Sequence, residues 1–411
     1  MRAYQRLLDY AAVWTTSDEE SGASPSTARQ LDLARRLADE LRAIGADSVT
    51  MSDTGYVYAA FDAAPGCEKA PAIGFVAHMD TAPAYSGRNV RPIVHRNYDG
   101  ADVHLPEGGT VISLEDYPHM KELAGQTLIT ASGDTLLGAD DKAGIAEIMT
   151  ACQRLVEERL PHGRICVAFT PDEEVGRGTA HFDLDAFGAD YAYTMDGGDV
   201  GGIEYENFNA AAASVTVTGV AVHPGSGKSK LVNALTLLAR LDAMLPADER
   251  PEHTDGYQGF FFQEAVNGTA ARATAQYIIR DHDRRRFEER KALLLRCAET
   301  LQVQYPKAVV RVKLSDTYYN MAELVQPCMH LIENARAAWR MAGVEPVTEP
   351  IRGGTDGCNL SYMGLPCPNM GTGGFHYHGP CECITAEKMD QAVQAIVNLA
   401  GLYARTDREA L

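Results

Sequence analysis

Residues 72–80 read AIGFVAHMD, an apolar run from Ala72 to Ala77 that ends in His78 and Asp80. A short continuous apolar run of this kind predicts a strand buried on both faces, as in parallel sheets covered by helices. The design recurs in ICVAFTPDEE at 165–174, which ends in Glu173 and Glu174, and in YAYTMD at 191–196, which ends in Asp196. Open parallel sheets bind ligands at the carboxyl ends of their strands, so these groups are expected to converge there. A further stretch, LLGADDKAG at 136–144, supplies Asp140 and Asp141 just ahead of a helix expected over Ala143 to Leu155.

Outward from these strands the chain reads as an α/β protein. Thr27 followed by Gln30 predicts a capping box, and Leu33, Leu37, Leu41 and Ile44 then recur at helical spacing until Gly45. From about residue 209 the texture changes, because Ser214 to Thr218 alternates polar and apolar as a half-solvated strand does. The order then expected is strand 212–218, helix 230–245, strand 259–265, strand 272–280, helix 283–301 and strand 308–314, a split βαβ, ferredoxin-like unit. It reads as a lid or dimerisation domain, 209–319, inserted into a catalytic domain made of 1–208 and 320–411, whose last helix is expected over Ala386 to Tyr403. No internal repeat interrupts this scheme.

Composition excludes several classes. A chain of 411 residues with 45% hydrophobic and 23% charged residues has the make-up of an ordinary globular protein. No stretch reaches the roughly 18 apolar residues of a membrane span. The net charge of -19 and the absence of a long basic run speak against nucleic acid as a partner. The first twenty residues lack the pattern of a secretory signal, and the nine Cys contain no CxxC pair, so free thiols and a cytoplasmic setting are expected.

Carboxylates with imidazole and no thiolate suit Zn, Mn or Co. HMDTAP, GADDKAG, PDEEVGRGTAHFD, TMDGG, VHPGSGK, YIIRDHD, IRGGTDG, LPCPNMGTGG and YHGPCE occur in that order. From about residue 10 to about 400 the chain thereby resembles the di-zinc metallopeptidase family of aminoacylases, desuccinylases and peptidase T. Its peptidase T branch is the nearest in pattern. The resemblance implies a zinc-exopeptidase-like catalytic domain and two Zn²⁺ per subunit, with Co²⁺ or Mn²⁺ as alternatives. It makes His78 and Asp196 ligands of one metal, Glu174 and His378 ligands of the other, and Asp140 the bridge. Asp80 is expected to accept the free N–H of His78, and Glu173 to act as general base and then as acid. The usual peptidase T run His-Gly-Lys-His-Glu is here His378, Gly379, Pro380, Cys381, Glu382, and an additional His376 stands upstream as an alternative ligand.

The same resemblance points to hydrolysis of the N-terminal residue from tripeptides by metal-assisted attack without a covalent intermediate. A dipeptidase or an N-acyl-amino-acid hydrolase is the alternative within the class, and a peptide-binding protein without catalysis the alternative outside it. Arg280 and Arg352 are the candidates for the substrate carboxylate, because guanidinium offers a bidentate fork. His223 is expected to stabilise the oxyanion, from the partner chain of a homodimer. For the substrate amine, Asp141, Asp172, Asp199 and Asp356 stand as unranked candidates. His95, His104, His119, His162, His253 and His330 fall in no motif with metal-ligand spacing and read as structural.

Overall fold

A computed structural model describes residues 1–411, which divide into two units. The first comprises Met1–Tyr205, Glu323–Thr348 and Thr355–Leu411, and the second Glu206–Ala322 with Glu349–Gly354. The six residues Glu349–Gly354, read from sequence as part of the resumed first domain, thus pack with the second unit.

The first unit is built on an eight-stranded mixed sheet. Ile73–His78 lies at its centre, parallel to Ile165–Thr170 on one side and to Tyr191–Gly197 on the other. Both outer neighbours of this trio differ: Asn369–Gly371 continues parallel beside Tyr191–Gly197, whereas Val57–Phe61 runs antiparallel to Ile165–Thr170. Every residue of Ile73–His78 and Ile165–Thr170 is buried, which is why these strands show no polar alternation in the sequence. Helix Ala139–Glu157 packs on Ile73–His78 and Tyr191–Gly197, and helices Ala3–Ala11 and Ala386–Tyr403 pack against that helix.

The helix at Gln30–Ala43 buries Leu33, Leu37 and Leu41, as its periodicity predicts. Its capping box does not form, because Gln30 turns its side-chain amide to the carboxylate of Asp172 at 2.7 Å, while the Thr27 hydroxyl donates to the carbonyl of Thr16. A tertiary partner has replaced the local one.

The second unit is a four-stranded antiparallel sheet with strands Asn209–Thr218, Phe260–Gly268, Arg272–Asp281 and Val309–Tyr318. Numbered along the chain they lie in the order 2-3-1-4, which is that of a split βαβ pair. Helices Ala234–Asp242 and Arg284–Gln304 cover one face, where Val215, Val217, Leu238, Phe261, Tyr277, Ile279 and Phe287 form the core.

Tight packing between helix and sheet governs the approach to the strand ends. A methyl group on Gly144 would lie 2.0 Å from the carbonyl oxygen of Met195 and 2.4 Å from Oδ1 of Asp141. Gly144→Ala is therefore expected to destabilise the first unit by about 1–3 kcal/mol through overpacking, measured by denaturant titration. An unchanged midpoint would contradict the close approach.

Candidate active site

The register of the central strands places His78 opposite Thr170 and Val76 opposite Thr194, so the three acidic strand ends emerge side by side. After Thr170 the chain turns through Asp172, whose φ of +62° lies in the left-handed region. Asp is one of the few side-chain-bearing residues that accept this conformation. Here its carboxylate is also tied down by the backbone N–H and hydroxyl of Ser26 and by Gln30. The turn delivers Glu173 and Glu174 in one 3-10 segment.

Asp80 anchors that segment. Its two carboxylate oxygens accept the backbone N–H groups of Glu173 at 3.0 Å and Glu174 at 3.2 Å. The sequence reading gave this carboxylate to the imidazole of His78, but the shorter contact of Nδ1, at 3.1 Å, is to the backbone carbonyl of Asp80, with the carboxylate at 3.5 Å. A carbonyl can only accept, so Nδ1 carries the proton and Nε2 faces the site.

Asp140 and Asp141 open the helix Ala139–Glu157, joined by a cis peptide bond. The loop before them is held by Glu382, whose carboxylate accepts three backbone N–H groups, those of Leu137, Gly138 and Asp140, at 2.7 to 3.0 Å. The spacing of His378 and Glu382 marked this acid in the sequence; what it holds was not legible there. Asp141 accepts from the backbone of His78 and of Gly144, so it too is a brace.

Within this frame the donors converge. Nε2 of His78 lies 2.9 Å from Asp140 Oδ1 and 3.5 Å from Asp196 Oδ1. Nε2 of His378 lies 3.0 Å from Asp140 Oδ2 and 3.0 Å from Glu174 Oε2. Donor atoms of His78, Asp140 and Glu174 all fall within 4.8 Å of one another, and so do those of His78, Asp141 and Asp196.

The electrostatics call for cations. Burial and the neighbouring Asp196 push the carboxyl of Glu173 well above the usual range, and burial lifts Glu174 to about 7. Burial also raises Asp196. Bonds to Asp140 and Glu174 raise His378 to about 10, and His78 rises well above its ordinary value because Asp196 and Asp140 outweigh the cost of its burial. Acids gaining protons and imidazoles gaining charge are two responses to one excess of buried negative charge. Oε1 of Glu174 is moreover buried without any hydrogen-bond partner. Hard oxygen and imidazole donors, an orphaned carboxylate oxygen and the Nε2 of His78 aimed at two carboxylates fit metal ions.

The alternative ligand His376 is turned away: Nδ1 contacts the carbonyl of Cys381 and Nε2 contacts His119. Among the acids considered for the substrate amine, Asp172 and Asp141 are occupied as described. Asp356 accepts from Thr170, with burial lifting it to about 7, and Asp199 pairs with Lys388.

The remaining expected residues belong to the second unit. His223 is exposed, and its Nδ1 accepts the N–H of Gly225, which leaves the proton on Nε2 as an outward donor. Arg280 is half-buried with its guanidinium over the ring of Tyr318. Arg352 departs from the carboxylate fork expected of it. One terminal nitrogen donates to the carbonyls of Gly256 and Gln258, and the other to the carbonyl and hydroxyl of Thr254. Its planar fork fastens the 254–258 loop because the loop offers several carbonyls in reach of one guanidinium.

The fold and the site define a metallopeptidase, a hydrolase with an α/β catalytic unit and a second α+β unit. Residues 205–309 match the peptidase dimerisation domain family. The chain is 48% identical to a peptidase T of Clostridium perfringens over 98% of its own length and 99% of that protein's, and 49% identical to peptidase T of Escherichia fergusonii over 98% of each. It belongs to the peptidase T family. In fold it matches a tripeptidase of Staphylococcus aureus with a TM-score of 0.80 at 20% identity, covering 98% of both chains. An aminopeptidase PepT of Bacillus cereus follows with 0.79 at 21%, again over 98% of both chains. No helix is long and apolar enough to cross a membrane.

Removing the Glu382 carboxylate would leave its three backbone donors buried and unpaired. At about 1–3 kcal/mol for each such group, Glu382→Ala is expected to lose several kcal/mol of stability and to release bound metal. Denaturant titration with elemental analysis measures both. Wild-type metal content at wild-type stability would show that Glu382 does not hold the Asp140 loop.

Proposed function

We propose that this chain is an aminopeptidase that removes the N-terminal residue from tripeptides, with two Zn²⁺ held by His78, Asp196, Glu174, His378 and the shared Asp140. The observation that carries this reading is the position of Asp140, which presents one oxygen to His78 and the other to His378. Membership of the peptidase T family supports the substrate class. When bound, the two ions would acidify a water and polarise the scissile carbonyl.

The protein's own groups do the rest. Glu173, held at its backbone by Asp80 and adjacent to Glu174, takes the proton of the water and returns it to the leaving amine. Asp80 keeps His78 in the tautomer whose Nε2 lone pair faces the site. His223 donates from Nε2 to the developing oxyanion, and Arg280 takes the substrate carboxylate. Arg352 acts through the loop it fastens. The dimerisation-domain match supports a homodimer, and nine unpaired thiols support a reducing compartment such as the cytoplasm.

Glu173→Gln is expected to lower kcat by 10²–10⁴-fold while elemental analysis still finds both metals. Activity within about tenfold of the wild type, or loss of the metals, would move the base elsewhere.

In a homodimer whose sites are completed across the subunits, mixing Glu173→Gln with His223→Ala subunits restores one intact site in every mixed dimer. Random pairing then yields about a quarter of wild-type activity from two inactive parents. An inactive mixture with proven subunit exchange would place His223 in its own subunit's site or outside the chemistry.

A further inference from the structure

His378 differs from His78 in how it is held. The ring of His78 is 2% exposed and its Nδ1 is bonded to the chain, whereas the ring of His378 is 46% exposed and meets the protein only through Nε2, at Asp140 and Glu174. Its placement therefore depends on the backbone that carries it. That backbone is the tip of a hairpin whose strands pair Gly374 with Ile384 and Phe375 with Cys383. Two residues of the tip, His376 at φ +57° and His378 at φ +63°, occupy the left-handed region. For residues with a Cβ this conformation costs about 1 kcal/mol or more, so it persists only where surrounding contacts impose it.

The contacts that impose it centre on His376. Its ring stacks on Tyr117 with centroids 3.8 Å apart. Nδ1 lies 3.1 Å from the carbonyl oxygen of Cys381, across the mouth of the tip, and Nε2 lies 3.1 Å from Nε2 of His119. The carbonyl can only accept, so Nδ1 of His376 carries a proton and its Nε2 is the acceptor for an N–H donated by His119. Tyr117 and His119 stand at the start of the 3-10 segment Pro118–Leu123, outside the hairpin. One ring is thus fixed on three sides: by stacking, by a bond across the tip and by a bond to a separate segment. Cys383 Sγ sits on the Nδ1 side at 3.8 Å, so His119, His376 and Cys383 do not converge on a common point and do not make a metal site of their own.

We propose that His376, stacked on Tyr117 and bonded to His119, is a latch that positions His378 for metal binding. None of these three touches substrate or metal; they are positioning residues. The inference rests on the ligand role proposed for His378.

Zinc titration of the full-length protein against a chelator, with elemental analysis, tests it. His119→Phe keeps a ring but removes the donor, and His119→Gln keeps an N–H to offer. Partners of metal ligands are typically worth 10–100-fold in metal affinity. His119→Phe is accordingly expected to bind the weaker of its two zinc ions roughly tenfold less tightly, with kcat recovered at excess zinc. His119→Gln is expected to stay near the wild type. Wild-type zinc affinity in His119→Phe, or a loss in His119→Gln as large as that in His119→Phe, overturns the latch. His378→Ala separates the two readings: if it loses one zinc while His119→Phe loses none, only the latch falls, and if it keeps both, the ligand assignment falls and the latch with it. Should His119→Phe fail to fold, nitrogen NMR of the wild-type imidazoles decides. A protonated Nδ1 on His376 is expected, and a bare Nδ1 overturns the proposal.

Discussion

Asp140 stands between two imidazoles, 2.9 Å from His78 and 3.0 Å from His378, and its carboxylate is shared by two halves of one charge cluster. Burial opposes its ionisation, yet the bonds from His378 and His78 hold it below the ordinary carboxylate range. Around it Glu173, Glu174 and Asp196 are all displaced upward by burial and mutual repulsion. Such crowding is tolerable in a folded protein only if positive charge is supplied. Two imidazoles supply some of it. Metal ions would supply the rest, and the first unit is arranged to keep their donors in place.

That arrangement relies on backbone N–H groups more than on side-chain pairs. Asp80 receives the amides of Glu173 and Glu174, Asp141 those of His78 and Gly144, and Glu382 those of Leu137, Gly138 and Asp140. Each of these acids joins segments that are distant in sequence, and each satisfies donors that would otherwise be buried without partners. The supporting acids thus solve two problems at once, because they saturate the turns at the strand ends and fix the direction in which the neighbouring donors point. Gly144 belongs to the same scheme, since only a residue without Cβ lets the helix pass this close to the carbonyl of Met195 and the carboxylate of Asp141.

The second unit uses its cations differently. Arg352 is absorbed by the 254–258 loop, with its guanidinium about equally near the rings of Phe208 and Phe260. Arg280 stays over Tyr318, with burial lowering its affinity for the proton. A guanidinium whose two terminal nitrogens are both engaged by one loop acts as a fastener of that loop.

Apolar patterning located the buried strands, read as 72–77, 165–169 and 191–195 and found within two residues of those bounds, and the order of elements in the second unit, because continuous and alternating apolar patterns report burial directly. The acids at the strand ends were legible for the same reason: a parallel strand of known direction says where its last residue lies. Other assignments needed the tertiary structure. Whether Gln30 caps its own helix or reaches Asp172, whether Asp80 serves an imidazole or two amides, and whether Arg352 offers or spends its fork depend on partners between 93 and 142 residues away in the chain. The acid four residues on marks His378 rather than His376 in the sequence, but where each ring points needed the tertiary structure: the hairpin tip turns one ring toward Tyr117 and His119 and the other toward Asp140. Hydrogen bonds are short-ranged and directional, so which of two equivalent donors finds an acceptor is decided only when the chain has closed around it.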